Sequence, residues 1–141
     1  MPDLEEEDFH LNTVDGIQIR GSLFLPRRPR AVLLFLHGFA EHRRRYRTYA
    51  RWLQKKRFGF ASIDLRGHGE SGGRPGHIIR FEEYYQDLLV FLHWAREHLG
   101  RFKIFVGGHS LGSLIAIRFF QTGLWQHPVH GLVLSAPFLG F

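Results

Sequence analysis

The stretch Phe102-Lys103-Ile104-Phe105-Val106-Gly107-Gly108-His109-Ser110-Leu111-Gly112, continuing into the apolar segment that ends at Phe120, decides how this chain is read. Lys103 to Val106 is rich in β-forming residues, Leu111 to Phe120 has the length and composition of a helix, and a Gly-x-Ser-x-Gly turn joins them. That context makes the turn a nucleophile elbow. A serine on so tight a strand-to-helix bend needs Gly108 and Gly112 beside it, because the backbone is strained and the helix packs closely on the sheet. Ser110 is the candidate nucleophile, and the N–H groups opening the helix face any negative charge that develops there.

The pentapeptide by itself is weak evidence, since average glycine and serine usage produces one in roughly 5% of chains of this length. Two further stretches strengthen it. Ala31-Val32-Leu33-Leu34-Phe35-Leu36 is a fully apolar strand-like run that stops at His37-Gly38-Phe39-Ala40-Glu41, and Ser62-Ile63-Asp64-Leu65-Arg66-Gly67-His68-Gly69-Glu70-Ser71 is a strand end breaking into a glycine-rich turn. In a Gly-x-Ser-x-Gly hydrolase, an earlier strand of the first kind ends in a loop that supplies an oxyanion-hole N–H.

With these three motifs in order, the chain resembles the α/β-hydrolases and, within them, the monoacylglycerol lipase and lysophospholipase branch, which is similar to the serine aminopeptidases. The motifs that carry the resemblance are His37 to His42, Asp64 to Ser71 and Gly108 to Gly112. Related peptidases, thioesterases and carboxylesterases share them, so they are more specific for the fold than for lipid esters. The resemblance implies Ser110 as nucleophile and the backbone N–H groups of Phe39 and Leu111 as the oxyanion hole. His37, Gly38, Gly108, His109 and Gly112 would support the loop and the elbow. Ala40 stands where the branch usually has glycine, and Ser113 where a further glycine is common. If position 40 needs a positive φ, alanine is strained there.

A serine nucleophile needs a base and the base an orienting acid, in the chain order Ser, Asp or Glu, His for this fold. After Ser110 come His127 and His130, with no Asp or Glu through Phe141. The expectation is therefore the N-terminal half of a hydrolase, and the resemblance implies that a lid, two further strands, the acid and the base would follow. The resemblance implies action on carboxylic esters, most simply a monoacylglycerol or a lysophospholipid, with weak turnover or none expected of the 141 residues alone. The competing reading is a non-catalytic, degenerate hydrolase fragment serving as a binding or assembly module. Epoxide hydrolase or dehalogenase chemistry is disfavoured, because those enzymes carry aspartate at the position of Ser110.

Length and composition fit one α/β domain over residues 1–141. The 44% hydrophobic content suffices for a core that buries roughly 68% of the unfolded surface. Absence of cysteine excludes disulfides and thiolate metal sites, and no histidine has the carboxylate or cysteine company of a zinc pattern; neither cofactor nor metal is expected. An acidic start and no long apolar run make the default a cytoplasmic protein.

Val14-Asp15-Gly16 between alternating segments predicts a leading antiparallel hairpin. Ala31–Leu36, Phe60–Asp64, Lys103–Val106 and Leu132–Ser135 predict parallel strands. Helices follow from Tyr46, Tyr49, Ala50 and Leu53, and from the stripe Phe81 to Leu99, and they would lie on both faces of the sheet. The formal charge is +6, densest at Arg43, Arg44 and Arg45 with Arg47 and Arg51. These read first as the solvated face of a helix, and second as a peripheral contact with anionic lipid; no nucleic-acid partner is expected, because no nucleic-acid motif accompanies them. His68 reads as loop structure near the substrate, with a substitute base as the lesser alternative. Asp64 would brace its own turn, and Asp87 would lie on the polar side of its helix. Leu132–Ser135, as an apolar sheet edge, invites self-association.

Overall fold

A computed structural model describes residues 5–137. Its strands are β1 (Glu6–Asn12), β2 (Gln18–Phe24), β3 (Ala31–Leu36), β4 (Phe58–Ile63), β5 (Ile104–His109) and β6 (Gly131–Ser135), and its helices α1 (Arg47–Lys55), α2 (Glu83–Leu99) and α3 (Leu111–Gln121). The strands form one sheet in the order β1-β2-β4-β3-β5-β6. β1, β2 and β4 pair antiparallel, and β4, β3, β5 and β6 run parallel. The α/β class and the leading hairpin are as the sequence predicts, with Gly16 at φ 85° in the turn that brings Asn12 opposite Gln18.

All six residues of β3 are buried, which explains an uninterrupted apolar run: the strand is central and covered on both faces. Val32, Leu34 and Leu36 face a core with Leu88, Phe91 and Leu92 of α2 and Ile115, Ala116 and Phe119 of α3. Leu33 and Phe35 face a smaller cluster with Phe24, Phe60 and Ala50 of α1. At roughly 25 cal/mol per Å² of apolar surface, these two clusters are the main stabilising term.

Two expectations need correction. Asp87 does not lie on a polar helix face; it is fully buried and accepts hydrogen bonds from Arg66 N, at 2.9 Å, and Arg66 Nε, at 2.9 Å. Arg43 is not solvated either. It sits in a 3₁₀ turn before α1, 4% exposed, and pairs with buried Asp64 while its Nε donates to Ser22 Oγ at 2.8 Å. Helical periodicity places a residue on a face but says nothing of a long-range partner that offsets burial of its charge. Among the described residues no helix is long and apolar enough to cross a membrane.

Candidate active site

The parallel strands β3, β4 and β5 end at one edge of the sheet, and the three sequence motifs meet there as consecutive strand ends. Beyond β5 the backbone turns into α3 at Ser110, whose φ of 52° and ψ of −110° lie outside the comfortable regions for an L-residue. Such a conformation costs about 1–3 kcal/mol and persists only where its surroundings enforce it. Here Ser110 N–H donates to Ser135 O at 2.9 Å and Leu114 N–H to Ser110 O at 3.1 Å, anchoring the bend to β6 and α3. A Cβ on Gly112 would overlap the Leu36 carbonyl and lie 2.8 Å from that of His37. One on Gly108 would lie 2.6 Å from Ser113 N. Both glycines are thus required by close packing of α3 on β3 and β5. Ser113 is buried, and its hydroxyl donates to Gly108 O at 2.6 Å, a second tie across the elbow.

The loop after β3 is organised by two residues. His37 Nε2 accepts from Leu65 N–H at 3.0 Å, so its proton is on Nδ1, which donates to Gly38 O at 2.7 Å. Burial pushes this imidazole down to about 4, and both ring nitrogens are occupied. Glu41 Oε1 accepts from Gly38 N–H at 2.7 Å and from Tyr46 Oη at 2.8 Å, while Oε2 faces Arg45 Nε at 2.6 Å. Burial alone would raise the Glu41 carboxyl; the Tyr46 and Gly38 donors and Arg45 bring it net below its ordinary range. Ala40, between these anchors, has φ 61°, so this position does require the left-handed region.

The Phe39 side chain is 60% exposed, and its N–H has no acceptor among the described residues. Leu111 opens α3, so its N–H lacks a carbonyl one turn back. A Cβ on Gly38 would lie 3.4 Å from His109 O, which sets the loop directly against the elbow. The Ser110 hydroxyl makes no hydrogen bond among the described residues. His109 Nδ1 pairs instead with Ser135 Oγ at 3.0 Å.

His68 is 7% exposed, and its Nδ1 donates to Arg66 O at 2.9 Å. Its ring lies 5.1 Å from that of His37 and edge-on to Phe39 at 5.5 Å, and its buried Nε2 has no partner among the described residues. Asp64 braces its turn by accepting from Glu70 N–H at 2.9 Å and Arg43 N–H at 2.6 Å. Glu41 and the buried Arg43–Asp64 pair were not legible as site residues; the acid three residues after Gly38 was the one available signal for Glu41. Among the described residues no group of three histidines and carboxylates converges as metal ligands would.

A strained serine at a strand-to-helix elbow, faced by a loop from the neighbouring central strand, defines an α/β-hydrolase. The chain belongs to the serine aminopeptidase S33 family, whose model matches residues 27–141. It is 32% identical over 114 residues to the phospholipase YtpA of Bacillus subtilis, covering 80% of this chain and 42% of that protein. To the monoacylglycerol lipase of Mycolicibacterium smegmatis it is 32% identical over 130 residues, covering 88% and 44%. Its fold superposes on the α/β hydrolase GrgF of a Penicillium species with a TM-score of 0.81 at 23% identity, covering 95% of this chain and 46% of that one. The chain thus spans less than half the length of these relatives.

Proposed function

We propose that the protein is a carboxylic ester hydrolase working through an acyl-enzyme on Ser110, with a monoacylglycerol or lysophospholipid as substrate. The observation that carries this reading is the strained Ser110 backbone, kept at an energetic cost that a purely structural turn would avoid. The Phe39 and Leu111 N–H groups hold the tetrahedral oxyanion, and Glu41 fixes the loop that aims the first of them. The lipid substrate is suggested by the phospholipase and monoacylglycerol lipase relatives.

Attack on the ester carbonyl needs a base to take the Ser110 proton. No described histidine hydrogen-bonds that hydroxyl, and His37 has no free lone pair for it. Weak turnover is therefore expected of residues 1–141 by themselves. The same unpaired hydroxyl favours the second reading, a non-catalytic module on a hydrolase scaffold. A fluorophosphonate probe separates the two by intact mass. Stoichiometric labelling that disappears in Ser110→Ala supports the hydrolase; a folded chain that stays unlabelled supports the module.

A further inference from the structure

The charge on this molecule is not where the densest run in the sequence suggests. Arg43, Arg44 and Arg45 all face carboxylates: Arg43 and Arg44 share Glu70 at 3.1 and 2.8 Å, and Arg45 holds Glu41. Cations without such partners gather at the other end of the sheet, where the parallel strands begin. The segments leading into β3 (residues 26–30), β4 (55–57, starting at the last residue of α1) and β5 (100–103) carry eight of the chain's nineteen basic residues and no acidic one. All eight are exposed, and among the described residues none forms an ion pair.

Hydrogen bonds to backbone carbonyls fuse the three segments into one surface. Arg30 N–H donates to Arg57 O at 2.7 Å, Arg57 Nη2 to Arg28 O at 3.0 Å, and Val32 N–H to Lys103 O at 2.8 Å. Arg28 and Arg57 also hold left-handed φ values of 49° and 68°, conformations that ordinarily select glycine or asparagine. Arg57 ends α1, its N–H donating to Gln54 O at 3.0 Å, a position that commonly takes a left-handed residue, and arginine rather than glycine fills it. Beside the patch, α1 turns Trp52 outward at 54% exposure, with Lys55 and Lys56 three and four residues on and therefore on the same face.

We propose that this strand-entrance end is a docking surface for an anionic bilayer, its cations meeting lipid headgroups and Trp52 lying at the interface. Clustered Lys and Arg beside an exposed indole match the two layers of a membrane surface, a charged headgroup plane over an apolar boundary. Ser110 leaves the opposite end of β5, about 20 Å away for a strand of this length. A docked molecule therefore turns its candidate active site toward water and is tethered by its back. This surface is independent of whether Ser110 is reactive.

The test is co-sedimentation of the protein with phosphatidylcholine vesicles, with and without phosphatidylserine, at low and high salt. The expected result is salt-sensitive binding to the phosphatidylserine vesicles alone. In Arg27→Gln/Lys56→Gln/Lys103→Gln it weakens by about fivefold per charge removed, on the order of a hundredfold in all. None of those three side chains makes a hydrogen bond among the described residues, and circular dichroism checks the fold. Arg20→Gln/Arg80→Gln/Arg118→Gln removes the same charge elsewhere from exposed positions and is expected to bind as the parent. Equal weakening of both variants, or no preference for phosphatidylserine, overturns the proposal. Tighter binding to single-stranded RNA than to the vesicles at matched salt overturns it in favour of a polynucleotide surface.

Discussion

His37 is held neutral by burial, with both ring nitrogens engaged by backbone groups, and this makes the loop after β3 sensitive to acid. Its pKa is depressed from 6.5 to about 4 in the folded protein, so between those values the unfolded chain binds more protons. The stability it contributes is complete above pH 6.5 and is lost as pH falls to 4, to the extent of about 3 kcal/mol. Urea midpoints across that range, with the imidazole followed by NMR, check both the slope and the titration near 4. Ala40 offers a second measurement. With φ at 61°, Ala40→Gly should raise stability by about 1 kcal/mol in the same assay. The strain at position 40 was legible because glycine is the natural occupant of such a bend. The grip of Glu41 on Gly38 was not, because side-chain reach across a loop depends on dihedral angles that residue types do not specify.

The hairpin of β1 and β2 is tied to the rest of the fold by buried arginine. Arg66, 3% exposed, spans from Asp15 in the hairpin turn, at 2.7 Å, to Asp87 in α2. Its hydrogen bond is the main cause that lowers the Asp15 carboxyl to about 2. Asp15 therefore contributes stability that is present above pH 3.8 and lost as pH falls toward 2. Arg66→Met leaves Asp87 buried without its cation and should cost about 3–5 kcal/mol. Arg66→Met/Asp87→Leu should recover much of that, because Asp15, the partner then left without its cation, is solvent-accessible and no buried charge remains unpaired. Thermal unfolding of both variants checks this; equal losses would mean that the pair itself, rather than the orphaned carboxylate, stabilises the fold. Strands and helices were legible from apolar spacing, with β3 matching residue for residue. These ion pairs were not, since Asp15 and Arg66 are 51 residues apart and meet only once the sheet has formed.

At the scale of the whole molecule, the two outermost of the described strands differ in kind. β1 carries Glu6, Glu7 and Asp8, which discourage pairing, whereas Leu132, Val133 and Leu134 of β6 are 42, 45 and 38% exposed and uncharged. We propose that residues 1–141 by themselves self-associate along β6. Light scattering should show the apparent mass rising with concentration, and Leu132→Lys/Leu134→Lys should abolish the rise; a parent that stays monomeric at high concentration would contradict it. The sequence by itself determined the α/β class, the leading hairpin, the buried central strand and the elbow at Ser110, because each follows from local conformation or from a short apolar period. Only the tertiary structure decided which charges are spent on one another and which are left for a partner. Arg43 is neutralised by Asp64, Arg66 by Asp87, and Arg30, Arg57 and Lys103 gather where three strands begin. Electrostatic energy depends on distance and burial, and residues far apart in the chain acquire both only when it folds.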